Sequence, residues 1–491
     1  MTQTKPSLSE ALCLAETYPM QPIWRSLPMG SRDPLDIFLA CKRVSKQCFV
    51  LESAELGAHG RYTFLGYDPK LELACKDGVF TIKNGTCVRM QTNNPAAEIQ
   101  RILSENRAPR NDQLPPFAGG LVGYFSYDFI KYSEPTLLLD AADEEGFKDL
   151  DLMLFDKVAA FDHQEQRIIL IVNMRQDAPE ENYHRAVTEL DAMQRLIEKG
   201  EKTRLPALRI TSPYRALFDQ AQYCDMVEKA KKHIFEGDIF QVVLSNRLEA
   251  DAEGSLFETY RMLRVSNPSP YQFYFSSDDV EIAGSAPETL VKLERGKVTT
   301  FPLAGTRPRG ATPEADAQTE RELLADEKER AEHNMLVDLG RNDLGRISQF
   351  GSVQVEDYMS VLRFSHVMHI GSTVSGRLPE DKTAVDAVAA LLPAGTLSGA
   401  PKIRACEIIN ALENNKRGIY GGAIGYLSFQ GDMDTCIAIR IAFKKNDKVF
   451  VRSGAGIVAD SVPVNEYAEC NHKMRAVLNA LAKTDEGSDI Q

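Results

Sequence analysis

The chain has 491 residues, of which 43% are apolar, and its formal net charge is −13. That length is too great for one hydrophobic core and predicts two or three large lobes. The acidic balance and the lack of a Lys/Arg run argue against nucleic acid as a partner. No segment approaches the roughly eighteen apolar residues of a membrane span, and the polar start MTQTKPSLSEAL lacks a signal-peptide core. The nine cysteines form no CxxC pair, so the sequence favours a cytoplasmic protein with reduced thiols and no membrane association.

Strand and helix patterns come in adjacent runs along the chain. Strands are predicted at 48–52, 61–66, 117–128, 157–163, 167–173, 239–247, 272–276, 290–294, 298–303, 423–429, 436–442 and 448–453. Amphipathic helices are predicted over 178–200, 218–236, 327–340, 401–413 and 463–482. The polar stretch 200–213 contains two prolines and predicts a linker, which divides the chain into lobes at 1–205 and 206–491. Because the strands are grouped rather than strictly alternating with helices, the pattern favours an α+β fold.

Two Glu-x-x-Glu pairs lie in predicted helices, and each leads into an apolar stripe. The pairs are Glu329 with Glu332 and Glu466 with Glu469. Residues three and four apart share a helix face, and buried unpaired carboxylates are costly. A Mg2+ ion would account for four inward carboxylates, because it takes carboxylate oxygens and keeps places for water and an anionic substrate. The alternative is two solvated helix faces with local ion pairs, such as Glu469 with Lys473.

Three glycine-containing loops are candidates for anion binding. F301-P-L-A-G-T-R-P-R-G follows a strand and contains Gly305 and Thr306. L392-P-A-G-T-L-S-G-A-P-K carries hydroxyls ahead of a helix start, and S453-G-A-G-I-V-A-D precedes the second Glu pair. An ordinary turn is the alternative for each. None matches a Walker loop or a G-x-G-x-x-G unit, which argues against nucleotide binding.

Arg440 and a histidine pair are further polar candidates within apolar runs. Arg440 lies in C436-I-A-I-R-I-A, where strand alternation would put it on one face with Cys436 and Ala438. A buried arginine needs a carboxylate partner, from substrate or protein. His366 and His369 lie three residues apart; a satisfied core histidine is the simpler interpretation, and an acid/base role for His369 is the sharper one.

Taken together, these segments resemble the chorismate-utilising enzymes over nearly the whole chain, and most closely the branch that forms anthranilate. The resemblance is carried by G284-S-A-P-E, F301-P-L-A-G-T-R-P-R-G, E332-H-N-M-L-V-D-L-G-R-N-D-L-G-R, L392-P-A-G-T-L-S-G-A-P-K, Y420-G-G-A-I-G-Y and G454-A-G-I-V-A-D-S-V-P. It implies two packed antiparallel β-sheets flanked by helices, with an intertwined N-terminal regulatory lobe. It also implies that the chain converts chorismate and ammonia to anthranilate and pyruvate, the first committed step of tryptophan biosynthesis.

The resemblance gives the candidate residues specific roles. Glu332 and Glu469 are the expected direct Mg2+ ligands, with Glu329 and Glu466 acting through water or from behind them. Glu288 is expected to protonate the departing C4 hydroxyl, and His369 to take part in the later elimination. The expected chorismate contacts are Gly305, Thr306, Thr396, Tyr420, Arg440, Gly454, Ala455, Gly456 and Lys473.

Two positions separate activities within the family. Relatives that add water to chorismate carry a lysine base where this chain has Gln241, and relatives that make aminodeoxychorismate carry a nucleophilic lysine where it has Ala304. Ammonia is already a nucleophile, whereas water must be deprotonated. The alternatives to an anthranilate-forming enzyme are an aminodeoxychorismate synthase and a non-catalytic tryptophan-binding regulatory subunit.

Partners and regulation also follow from the resemblance. No cysteine has the Gly-x-Cys-x-Gly context of a class I glutaminase, so a separate glutaminase subunit is the expected ammonia source, in a heterotetramer of two large and two glutaminase subunits. L51-E-S-A-E-L resembles the family's tryptophan feedback segment, with Ser53 as the contact. Pro270, Tyr271 and Gln272 are the expected contacts from the other lobe. Gln272 stands where methionine is usual, and Leu303 where isoleucine is.

Overall fold

The computed structural model describes residues 3–13, 17–53, 60–363 and 367–486. In these ranges two antiparallel sheets face each other, and helices cover the outer face of each sheet. The arrangement confirms the α+β fold with two packed antiparallel sheets. No helix in the described ranges is both long and apolar enough to cross a membrane.

The strands, in chain order, are β1 (Met20–Pro28), β2 (Cys48–Glu52), β3 (Tyr62–Tyr67), β4 (Leu71–Lys76), β5 (Val79–Asn84), β6 (Thr86–Gln91), β7 (Gly120–Phe125), β8 (Leu150–Phe155), β9 (Lys157–Asp162), β10 (Arg167–Arg175), β11 (Arg209–Ile210), β12 (Arg215–Ala216), β13 (Gln241–Glu253), β14 (Tyr271–Ser276), β15 (Glu281–Ala286), β16 (Thr289–Glu294), β17 (Lys297–Thr300), β18 (Leu303–Pro308), β19 (Gln354–Arg363), β20 (Val367–Arg377), β21 (Gly399–Ala400), β22 (Ala423–Ser428), β23 (Met433–Ile437), β24 (Ile441–Lys445) and β25 (Lys448–Ile457).

The α-helices are α1 (Leu8–Cys13), α2 (Pro34–Val44), α3 (Pro95–Glu105), α4 (Pro179–Lys199), α5 (Gln220–Phe235), α6 (Phe257–Ser266), α7 (Pro313–Ala325), α8 (Glu327–Gly345), α9 (Ala384–Leu391), α10 (Lys402–Glu413) and α11 (Pro463–Glu486). Two 3-10 helices span Tyr127–Tyr132 and Gly395–Leu397. The five predicted helices correspond to α4, α5, α8, α10 and α11.

Each sheet combines strands from both halves of the chain. Sheet I runs β1-β10-β9-β3-β2-β14-β15-β24-β25-β13-β11, with β12 and β21 also paired to β13. Sheet II runs β18-β20-β17-β16-β23-β22-β7-β8-β4-β5-β6, with β19 on β20. The first 205 residues are therefore woven into the same sheets as the rest, while the lobe boundary at residue 205 stays a prediction.

An aromatic core holds the two sheets together. Phe49 of sheet I packs edge-on against Phe155 of sheet II, with ring centroids 4.7 Å apart. Phe117 and Tyr426 lie 4.6 Å apart in the same layer, and all four rings belong to one buried cluster. Such rings bury large apolar areas and favour these tilted and edge-on geometries. Separate apolar clusters attach helices to the outer face of each sheet.

One predicted strand is wrong, because 436–442 contains a crossing between the sheets. Ile437 ends β23 and pairs with Ala423 in sheet II, whereas Ile441 begins β24 and pairs with Gly284 in sheet I. Arg440 lies in the crossing with φ of 52°, a left-handed conformation that strands do not adopt. Both flanking strands are buried, so the apolar pattern continues through the crossing and conceals it. The predicted strand 298–303 likewise divides between β17 and β18.

Helices α8 and α11 belong to opposite layers and carry the two Glu pairs. Helix α8 packs on β18 and β20 of sheet II, and α11 packs on β25 of sheet I. The Asp326 carboxylate caps α8 by accepting hydrogen bonds from the backbone N–H groups of Lys328 and Glu329, which satisfies donors that the first turn leaves unpaired. Pro463 occupies the first position of α11, where its missing N–H costs nothing.

Candidate active site

The four glutamates of α8 and α11 lie in one electrostatic neighbourhood. Burial raises the pKa of Glu332, and the negative charges of Glu329 and Glu469 raise it further. Burial and the charge of Glu469 also raise the pKa of Glu466. Lys328 and Lys473 oppose these effects at both positions. The carboxylates of the two helices are therefore near enough to act on each other's ionisation.

The burial predicted for the second pair is wrong in part. The Glu469 side chain is 50% exposed and forms an ion pair with Lys473 at 2.7 Å, as the alternative interpretation of this helix predicted. The buried face of α11 instead runs through Cys470, Met474 and Val477. The buried positions Cys470 and Met474 each lie one residue after the predicted positions Glu469 and Lys473, so the Glu pair lies at the edge of the buried face. Lys473 Nζ also donates to Gly454 O at 3.1 Å, so this lysine reaches a predicted substrate-binding loop as well.

The cluster has the donor type that Mg2+ prefers but an open arrangement. Within the described ranges, no three of the four carboxylates bring ligand atoms within 4.8 Å of one another. The one group there that does so is His233, Glu236 and Asp238 at the surface, where Arg404 already pairs with Asp238 at 2.8 Å. Burial is the main cause of the raised pKa of Glu332 and Glu466, and repulsion between the carboxylates adds to it. A divalent cation would relieve that repulsion, and the four oxygen donors fit Mg2+ by their chemistry.

Strands β18 and β20 bring Gly305 and His369 against the first turn of α8. Gly305 has φ of 64°, and a Cβ there would lie 3.0 Å from Leu323 Cδ1 and 3.1 Å from Glu329 Oε2. His369 Nδ1 donates to Gly305 O at 3.0 Å. Burial lowers the pKa of His369, and Arg440 lowers it further. The lowered pKa favours the neutral ring, whose Nδ1 carries the hydrogen that it donates to Gly305 O.

Two of the predicted residues in this corner are described incompletely or not at all. The Thr306 backbone lies in β18 opposite His369, and its side chain lies outside what the structure describes. His366 lies outside the described residues altogether.

Glu288 lies between β15 and β16 and titrates near neutrality. Burial raises its pKa to about 7, while the hydrogen bond from Thr396 and the charges of Arg440 and Lys473 act in the opposite direction. Thr396 Oγ1 donates to Glu288 Oε1 at 3.0 Å. The Glu288 backbone carbonyl accepts from Ile437 N at 2.9 Å, which holds the residue beside the sheet crossing. A carboxyl with this pKa can deliver or accept a proton at neutral pH.

Arg440 faces the same space from the sheet crossing. Burial lowers the pKa of its guanidinium, and the charge of Glu288 raises it. Among the described residues, no hydrogen bond or ion pair to this guanidinium occurs. An arginine held this way can bind a carboxylate through two parallel hydrogen bonds.

Glycines in β25 form a flat wall next to Tyr420. A Cβ on Gly454 would lie 2.7 Å from Leu244 O and 3.2 Å from Tyr420 Oη, and one on Gly456 would lie 2.6 Å from Gln241 Nε2. Ala455 points the other way, into the core between sheet I and its helices. Any contact of Ala455 with a substrate is therefore limited to its backbone.

The predicted tryptophan contacts line a large cleft of about 3490 Å3, including its open mouth. Ser53, Pro270, Tyr271 and Gln272 all belong to its wall. Tyr271 Oη donates to Asp434 Oδ1 at 2.8 Å, and the buried Gln272 amide donates to Arg264 O at 3.2 Å. Residues 54–56 of the predicted feedback segment lie outside the described residues.

Sequence reasoning missed a buried ion cluster behind this site, formed by Glu413, Arg417 and Arg452. Arg452 had the same signal as Arg440, an arginine within an apolar strand pattern. Glu413 and Arg417 are four apart, but α10 ends at Glu413, so helical periodicity does not reveal the pair. It also missed Arg307, which forms ion pairs with Asp326 at 2.7 Å and with Glu329 at 3.1 Å.

Comparison with known proteins connects this geometry to one family. The sequence profile of the family described as chorismate binding enzyme matches residues 46–479. Anthranilate synthase component 1 of Acetivibrio thermocellus is 43% identical over 98% of this chain and 99% of its own. The component 1 of Aquifex aeolicus is 42% identical over 98% and 99%. The crystal structure of anthranilate synthase component I from Streptococcus pneumoniae aligns with a TM-score of 0.75 and 37% identity, covering 92% of this chain and 98% of the other.

Proposed function

The chain belongs to the chorismate-binding enzymes, and we propose that it is the aminating component of an anthranilate synthase. It would convert chorismate and ammonia to anthranilate and pyruvate, the first committed step of tryptophan biosynthesis. The observation that carries this choice is the pair Gln241 and Ala304. Gln241 is buried beside Gly456. Its side-chain amide cannot deprotonate water as a lysine base would. Ala304 is a buried methyl, which cannot form a covalent adduct with substrate.

Chorismate carries two carboxylates, and this acidic chain offers local cations to hold them. Arg440 and Lys473 both act on the pKa of Glu288, so both lie within electrostatic reach of the same space. The glycine wall at Gly454 and Gly456 lets a flat ring approach the backbone closely. These features support binding of a dianion in a site framed by Tyr420.

Glu288 and His369 supply the two proton transfers of the reaction. Ammonia attacks C2 of chorismate while Glu288, protonated below pH 7, gives its proton to the departing C4 hydroxyl. His369 then takes the proton from C2 while the enolpyruvyl C–O bond breaks, and loss of pyruvate makes the ring aromatic. The Thr396 hydroxyl positions Glu288, and Gly305 O positions the histidine ring.

The glutamate cluster is the proposed Mg2+ site. Glu332 and Glu469 would hold the ion, with Glu329 and Glu466 binding it through water. When bound, Mg2+ would neutralise and orient a substrate carboxylate. Oxygen donors from two helices support this assignment, because Mg2+ prefers carboxylates and would relieve the repulsion that adds to burial at Glu332 and Glu466.

Partners and regulation complete the proposal. A separate class I glutaminase subunit would deliver ammonia, in a heterotetramer of two copies of each chain. L-tryptophan would bind in the cleft lined by Ser53, Pro270, Tyr271 and Gln272. The aminodeoxychorismate alternative would need a lysine at position 304, and a silent regulatory subunit would not need the proton-transfer geometry of Glu288 and His369.

The direct test supplies the purified chain with chorismate, MgCl2 and an ammonium salt, and follows anthranilate fluorescence. Anthranilate should form without glutamine or any second protein. Accumulation of an aminochorismate without anthranilate would instead support the aminodeoxychorismate alternative. Addition of L-tryptophan should slow the reaction, and Ser53→Phe should weaken that inhibition while leaving the uninhibited rate close to wild type.

A further inference from the structure

The buried ion cluster of Glu413, Arg417 and Arg452 lies directly behind the proposed active site. The three residues are 3%, 2% and 1% exposed, respectively. The Glu413 carboxylate accepts hydrogen bonds from Ser245 N at 2.7 Å and from Ser245 Oγ at 2.9 Å. It also accepts from Arg417 Nη2 at 2.6 Å, from Arg417 Nε at 3.0 Å and from Arg452 Nη2 at 2.7 Å. Two positive charges and one negative charge are thus buried and paired.

Such a cluster is a poor device for stability alone. Removing charges from water is costly, and well-packed apolar residues of similar volume often stabilise a core as well or better. Arg417 has contacts in addition to its ion pair with Glu413. Its guanidinium also contacts segments of the chain that carry the proposed substrate-binding residues. This second set of contacts points to a role in the site.

The first contact of Arg417 holds the turn that bears Thr396. Arg417 Nη1 donates to Leu397 O at 2.5 Å. Leu397 follows Thr396, whose hydroxyl donates to Glu288. Movement of this turn would therefore change the hydrogen bond on the proposed general acid.

The second and third contacts reach the glycine wall and the tyrosine beside it. Arg417 Nη2 donates to Val243 O at 2.7 Å, and Val243 pairs with Gly456 in the sheet. The guanidinium also lies over the rings of Tyr127 and Tyr420, 4.6 Å and 5.9 Å from their centroids. One planar group therefore touches the supports of three proposed substrate contacts.

We propose that Arg417 is a positioning residue that sets the spacing of Thr396, Tyr420 and Gly456 for the anthranilate-forming reaction. This role rests on the function proposed above. The guanidinium is suited to it because its donors lie in one plane and are fixed relative to one another. A lysine keeps the charge but has a single flexible ammonium, which cannot hold Leu397 O, Val243 O and the Glu413 carboxylate together in one plane.

The test compares Arg417→Lys with Arg247→Lys. Arg247 is also a buried arginine, 5% exposed, paired with Glu249 at 2.6 Å and lying over the Phe450 ring. It has no hydrogen bond to the turn at Thr396 or to Val243 among the described residues, so it controls for the loss of a buried guanidinium. Both variants and the wild type are assayed with chorismate, Mg2+ and ammonium, well below their unfolding temperatures.

Arg417→Lys should lower kcat/KM for chorismate about a hundredfold, the scale of a misplacement near 1 Å. In the pH profile of kcat/KM, the alkaline limb of this variant should also move to higher pH, because a displaced Thr396 no longer favours the ionised form of Glu288. Arg247→Lys should lose thermal stability without moving the limb. A change in stability alone reduces the active fraction and leaves the limb in place, so the limb separates the two explanations.

Each outcome bears on a different statement. A wild type that forms no anthranilate would overturn the proposed function and, with it, this role of Arg417. An active wild type with Arg417→Lys unchanged in kcat/KM or in the pH limb would overturn the positioning role alone. If Arg417→Lys does not fold, Tyr127→Leu removes the ring beneath the guanidinium. That variant should move the limb in the same direction by a smaller amount, and an unmoved limb would overturn the role.

Discussion

Replacement of Thr396 by valine should make the proposed general acid weaker. The Thr396 hydroxyl donates to Glu288 Oε1 at 3.0 Å and lowers the pKa of a carboxyl that burial has raised to about 7. Valine keeps the shape of threonine but removes the donor. A hydrogen bond to a charged group contributes about 1.5–3 kcal/mol, and one pH unit corresponds to about 1.4 kcal/mol. At the low end of that range, the alkaline limb should move up by about one pH unit.

The direction of the change in the pKa of Glu288 depends on which form of the carboxyl the hydrogen bond stabilises. The hydroxyl favours the carboxylate, so its loss favours the protonated acid and raises the pKa. Protonated Glu288 is the form that the reaction needs, so the variant should keep activity to a higher pH than the wild type. The positive charges of Arg440 and Lys473 remain and continue to oppose the rise.

The assay is the pH profile of kcat/KM for chorismate, which reports groups of the free enzyme. Free ammonia must be held constant across the series, because ammonium loses its proton as the pH rises. Thr289→Val is the matched control. Thr289 follows Glu288 in the chain, but its hydroxyl forms a hydrogen bond with the Tyr271 hydroxyl at 2.8 Å and not with Glu288. An unmoved or lowered limb in Thr396→Val, or an equal shift in Thr289→Val, would refute the reasoning.

Three further predictions concern other parts of the site, the first with a matched control. Gly305→Ala and Gly296→Ala both force alanine into a left-handed conformation, at φ of 64° and 76°, and each should lose about 1–2 kcal/mol of stability. Only Gly305→Ala should also raise the Mg2+ concentration needed for half-maximal rate, because its methyl would meet Glu329 while the space beside Gly296 is open. Arg440→Gln should raise KM for chorismate about thirtyfold or more, since losing one partner of a buried charge pair costs about 2 kcal/mol or more; an unchanged KM would remove Arg440 from the substrate contacts. Glu332→Ala should abolish turnover and Mg2+ binding measured by calorimetry, and unchanged metal dependence would contradict its assignment as a ligand.

Local pattern was sufficient for most elements of the fold. The helix predicted over 327–340 corresponds to α8, which begins after its cap at Asp326 and buries Leu336. These features follow from residues within a few positions of each other. The crossing at Arg440 could not be seen this way, because strands of two different sheets are both apolar and adjacent in sequence.

The candidate site was harder to predict because it depends on long-range packing. The packing of α8 on one sheet and α11 on the other brings glutamates more than 130 positions apart within electrostatic reach. Periodicity within α11 alone misjudged the exposure of Glu469. Arg417 reaches Val243, which lies 174 residues earlier. Such contacts are set by the order of strands in the sheets, which no local pattern contains.

Isotope tracing of the product tests the central claim most directly. The purified chain would be given chorismate, MgCl2 and 15N-ammonium without glutamine. The products would then be separated, identified and quantified by mass spectrometry. The proposed function predicts 15N-labelled anthranilate and pyruvate in equal amounts. Labelled aminochorismate that accumulates without pyruvate, or no labelled product at all, would contradict it.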